Sequence, residues 1–163
     1  MVTTFLPDEL FALADRIERR GRLFYEKMSR LAPTPRSRQL FDRLAREEVE
    51  HSGEFERITR EALAMSFEIP DGYASPELLA YLEALREGRG LPDLAVAPEA
   101  VATDERALFQ AAVAYEKDAI LLLHEIYDVL PPSIAARRAV GELIRAEKGQ
   151  LARICALLSG KHP

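Results

Sequence analysis

The chain has 163 residues, 48% of them apolar and 30% charged, with a formal net charge of −5. That length fits one ordinary domain with a sizeable core, and the mix excludes intrinsic disorder. The single cysteine, Cys155, excludes an intramolecular disulfide framework and any Cys-x-x-Cys metal site, so chemistry is left to carboxylates and three histidines.

Basic and acidic residues alternate along the chain with an acidic excess, which argues against a surface that neutralises phosphates; no nucleic-acid partner is expected. No apolar run reaches the roughly 18–20 residues of a membrane span. The opening Met1-Val-Thr-Thr-Phe-Leu-Pro-Asp also lacks the basic and apolar regions of a signal peptide. A cytoplasmic location without a membrane partner is the expectation.

Ten prolines divide the chain, because an interior proline removes a helix hydrogen bond and clashes with the preceding turn. In chain order, Pro7 opens a first helix over about 8–31, and Thr34-Pro35 supply an N-cap and first-turn proline to a second over about 35–65. A stretch over about 66–102 encloses one short amphipathic helix, from Pro76 to about Glu87, whose Leu78, Leu79, Leu82 and Leu85 need a surface to cover. Thr103 can cap a third long helix to about 130, and Pro131-Pro132-Ser133 restart a fourth over about 133–159. Apolar residues recur at three- and four-residue steps in the long helices, as in Leu40, Leu44, Phe55 and Ile58. Short links make two antiparallel hairpins, and the long connection makes helices two and three parallel. The expected fold is an all-α, single-domain four-helix bundle with one crossover carrying a short extra helix.

The apolar stripes are interrupted by polar residues that keep their spacing. Glu48 and His51 continue the inward face of helix two, and Glu147 and Gln150 that of helix four. Glu18 shares a face with Ala14 and Gly21, and Glu116 with Ala112 and Ala119, small neighbours that leave room beside a carboxylate. Glu18 and Glu48 each lie about 13 residues from the first link, and Glu116 and Glu147 each about 15 from the second, so each pair is level. If the hairpins align, four glutamates and one histidine converge at mid-bundle. Buried carboxylates cannot all stay ionised without compensation, and two divalent cations would neutralise them.

With Ile17-Glu18 and Phe24-Tyr25-Glu26-Lys27, Glu47-Glu48-Val49-Glu50-His51, Tyr115-Glu116-Lys117-Asp118-Ala119-Ile120 and Ala146-Glu147-Lys148-Gly149-Gln150, the chain resembles the rubrerythrin-like branch of the ferritin-like di-iron carboxylate proteins over roughly 8–159, apart from the crossover. The resemblance implies a ferritin-like fold, Glu48 and Glu147 as metal bridges, Glu18 and Glu116 as terminal ligands, and His51 as a nitrogen ligand to the metal held by Glu18. It implies two metal ions, expected as iron with zinc or manganese as alternatives, and redox chemistry with peroxide or dioxygen as a small-molecule oxidant. Two departures qualify it. Gln150 stands where the family usually has histidine, so one metal position is expected to be weaker. These residues include no rubredoxin-like Cys-x-x-Cys pairs, so an external electron donor is expected. Bundles of this family commonly associate, so a homodimer or larger homo-oligomer is expected. Metal handling without turnover, or a bundle with a vestigial site, are the alternative functions.

Among other residues, Tyr25 is the candidate catalytic side chain, either donating to a ligating carboxylate or satisfied elsewhere in the core. Glu47, Glu50 and Glu54 are expected on a solvated face, His124 and His162 on the surface, and Cys155 as a small buried hydrophobe.

Overall fold

A computed structural model describes residues 7–65, 76–87, 104–130 and 135–160. Five helices are present among them: α1 (Pro7–Leu31), α2 (Pro35–Met65), α3 (Pro76–Arg86), α4 (Glu105–Val129) and α5 (Ala135–Leu158). The side chains of the crossover leucines, the Pro131-Pro132-Ser133 restart and His162 lie outside the described residues. Among the described residues, no helix is long and apolar enough to cross a membrane.

Local chemistry fixes the helix starts. At the head of α2, the Thr34 hydroxyl accepts from the Ser37 amide at 3.2 Å, while Ser37 Oγ accepts from the Thr34 amide at 3.3 Å. Two amides that no helix carbonyl can reach are thereby satisfied. The cap of α4 is Asp104 rather than Thr103: its carboxylate accepts from the Arg106 amide at 2.9 Å. A carboxylate there also meets the positive end of the helix dipole.

The four long helices form a bundle in which α1 packs on α2 and α4, and α5 on α4 and α2. Ser29 Oγ donates to Asp42 at 2.5 Å, while Ser52, further along α2, donates to Asp15, so α1 and α2 run antiparallel. Thr34 Oγ1 donates to Glu105 at 2.5 Å and Tyr25 to Glu116, which sets α4 antiparallel to α1 and hence parallel to α2. The core is an apolar column that includes Phe11, Met28, Phe41, Phe55, Leu108, Leu122, Val140 and Ile154. Cys155 is exposed, contrary to the sequence expectation. Ile154 occupies the inward stripe of α5, and the next residue turns about 100° away from it.

Candidate metal centre

Halfway along the bundle the apolar column gives way to a polar layer. Glu18 of α1, Glu48 and His51 of α2, Glu116 of α4 and Glu147 and Gln150 of α5 are all buried, and none is more than 8% exposed. Ligand atoms of Glu18, Glu48, His51 and Glu147 lie within 4.8 Å of one another. His51 Nδ1 is 2.5 Å from Glu147 Oε1 and 3.3 Å from Glu18 Oε2, contacts that lack hydrogen-bond alignment. Glu116 stands beside this group rather than within it: its carboxyl meets that of Glu147 and accepts a hydrogen bond from Tyr25. The candidate tyrosine thus has the donor role that the sequence left open.

The layer is electrostatically unsatisfied. Burial, and then the charge of Glu147, push Glu18 well above the usual carboxylate range. Burial and then Glu18 do the same to Glu48, and burial and then Glu147 to Glu116. Burial works to lower the His51 pKa, but contact with Glu147 and the fields of neighbouring carboxylates outweigh it, and the net shift is upward. Glu18 Oε2, Glu48 Oε1, Glu116 Oε2, Glu147 Oε1 and both amide atoms of Gln150 are buried without a hydrogen-bond partner. An orphaned buried polar atom costs about 1–3 kcal/mol, more if charged, so the five orphaned oxygens, with His51 Nδ1 also lacking a hydrogen-bond partner, call for a shared cation. Carboxylates, imidazole and an amide oxygen form a donor set suited to a first-row divalent cation. The residues therefore fit a metal pair: hard oxygen donors in number, one nitrogen, and no Lys or Arg ion-paired with the four glutamates among the described residues.

Three interhelical contacts go beyond the sequence expectations. Tyr115 reaches across to α1 and donates to the Ile17 carbonyl at 2.5 Å, stacking on Phe24 at 5.1 Å between ring centroids. Gly21 lets Glu48 lean on the α1 backbone: a Cβ there would stand 2.7 Å from Glu48 Oε2 and 2.9 Å from the Tyr115 ring. Glu47, expected on a solvated face, is only partly exposed and accepts from Arg43 at 2.8 Å and from Arg153 of α5.

The elements, their antiparallel pairings and the polar layer at mid-bundle define a ferritin-like helical bundle. Among solved structures, the chain is similar to a Thermotoga maritima protein provisionally named a ferritin-like diiron-carboxylate protein, with a TM-score of 0.69, 21% identity and 98% of each chain covered. No family model matches the chain, and no curated protein is found similar to it.

Proposed function

We propose that the chain is a di-metal carboxylate protein, with iron as the working metal, that performs rubrerythrin-like redox chemistry on peroxide or dioxygen using electrons from an external donor. The observation that carries this reading is the layer of buried, partnerless oxygens on Glu18, Glu48, Glu116 and Glu147 around His51. Glu48 and Glu147 are the shared ligands, with Glu18 and His51 completing one position and Glu116 and Gln150 the other. Bound iron supplies the electron transfer that these side chains cannot.

The protein's own part is orientation and exclusion of water. Tyr25 holds its proton against Glu116, since burial and then the fields of Glu116 and Glu48 push its pKa well up. Tyr25 thereby fixes the orientation of the Glu116 carboxyl. Phe24, Tyr25, Phe41, Phe109 and Tyr115 form a contiguous aromatic wall on one side of the layer that keeps solvent out.

A second reading, metal handling without turnover, is favoured by Gln150, because an amide is a poorer ligand than imidazole. The two separate in one experiment. Protein loaded with Fe²⁺ and supplied with a reductant should consume hydrogen peroxide faster than the same iron free in buffer. Consumption equal to free iron, with metal still bound, leaves the handling role; failure to bind iron at all contradicts both.

A further inference from the structure

The polar layer is buried, yet one of its carboxylates reaches a surface cleft. Between the outer sides of α1 and α2 lies a cavity of about 320 Å³ lined by Arg19, Arg22, Glu48, Ser52, Gly53 and Glu56. Glu48, itself only 2% exposed, forms the floor. We propose that this cleft is the port by which a divalent cation reaches the site, passing over Gly53 and meeting Glu48 first; the proposal rests on the metal reading above.

Gly53 is the most telling residue. It lies in the interior of a 31-residue helix, where glycine weakens the helix relative to alanine. No packing contact demands it, since a Cβ there would meet nothing within 4 Å. The small side chains at 52 and 53 leave the cleft open above Glu48. The second hairpin differs here in sequence: four residues beyond Glu147 stands the bulkier Leu151, where Ser52 stands four beyond Glu48. On the α1 side, the absence of a side chain at Gly21 leaves room for Glu48 Oε2, which a Cβ there would approach to 2.7 Å.

The charges around the cleft suit a cation despite the two arginines. Arg19 is held by Asp15 at 2.7 Å and by Glu56 at 2.9 Å, and Arg22 by Glu26 at 2.8 Å. Both guanidinium groups are thus ion-paired, so neither stands as an unanswered positive charge over the cleft. The Ser52 hydroxyl and Glu56 offer oxygens along the way to a cation shedding its water.

The test follows Co²⁺ uptake by the full-length metal-free protein through visible absorption in a stopped-flow instrument. Gly53→Phe fills the cleft and is expected to slow uptake by about an order of magnitude, with the amount of Co²⁺ bound at equilibrium unchanged. Gly53→Ala keeps the parental rate and raises the melting temperature. Arg19→Gln, which leaves Asp15 and Glu56 unanswered, accelerates uptake at low salt, and the gain disappears at about 1 M salt, where charges are screened within roughly 3 Å. If Gly53→Phe fails to fold, Arg19→Gln carries the test. Parental rates in the folded variants, with full Co²⁺ binding, overturn the port alone. No Co²⁺ bound at equilibrium by the parent protein overturns the metal reading and the port with it.

Discussion

In the first hairpin, Arg38 of α2 donates to the carbonyl of Ala32 in the link at 2.8 Å and stands ten residues before Glu48. In the second, Arg137 of α5 donates to the carbonyl of Leu130 at 2.6 Å and stands ten residues before Glu147. The inner helices therefore place their glutamates at matching heights by matching devices. Beyond that, the hairpins diverge. Three residues past the inner glutamate the first has His51 and the second Gln150; three past the outer glutamate the first has Gly21 and the second Ala119. Ser52 and Gly53 open the first hairpin to a cleft, while Tyr25 of the first hairpin closes over Glu116 of the second. The scaffold is thus repeated while the donors differ, and the proposed metal pair is accordingly expected to be unequal, with the first hairpin providing the stronger position.

The largest expected effect comes from removing a shared ligand. Glu48→Ala should abolish most metal binding at both positions, a loss of about 100-fold or more in affinity, measured by elemental analysis after loading and desalting. Retained occupancy would show that the hairpins do not share that carboxylate.

Metal removal should expose the repulsion within the layer. Glu18, Glu48 and Glu116 have folded pKa values above their ordinary value of 4.5, so in chelator the folded state keeps protons that the unfolded state releases. Stability is full below that value and is lost as pH rises through the raised values; His51, also raised above its ordinary 6.5, contributes in the same direction. Metal binding has the opposite trend, since it competes with those protons. Chelator should therefore lower the melting temperature by about 5–10 °C near neutral pH and by much less near pH 5. A chelator effect independent of pH would remove the carboxylate layer from the explanation.

Making the halves alike sharpens the comparison. Gln150→His should tighten the weaker position by about tenfold, so that two separated steps in a metal titration move together. No response would mean that Gln150 is not directed at a metal.

The smallest effect tests the scaffold. Gly21→Ala copies Ala119 into the first hairpin, where its Cβ would crowd Glu48 Oε2 and the Tyr115 ring. Overpacking of about 1–3 kcal/mol should outweigh a helix-propensity gain of about 1 kcal/mol, with a net loss visible in urea denaturation. A stabilised variant would show that Glu48 has room to move.

Fold and site were legible to different depths in the sequence, for a physical reason. Prolines and a 3.6-residue apolar period are local signals, and they delivered the all-α bundle and the inward faces of Glu18, Glu48, His51, Glu116, Glu147 and Gln150. Contacts across helices carry no local signal. The reach of Tyr115 to Ile17, the Arg153–Glu47 pair and the crowding at Gly21 depend on which helices are neighbours and how they are rotated. Cys155 departs from its expected burial because residue type alone does not fix a helix face: its neighbour Ile154 takes the inward stripe, and successive helix residues point about 100° apart.

The central claim, an unequal metal pair shared by the two hairpins, is tested most directly by anomalous diffraction at the iron edge from crystals of protein loaded anaerobically with Fe²⁺. The account predicts two peaks within the polar layer, the stronger beside Glu18 and His51 and the weaker beside Glu116 and Gln150, both in contact with Glu48 and Glu147. Iron-loaded crystals with no peak among these six residues would contradict it.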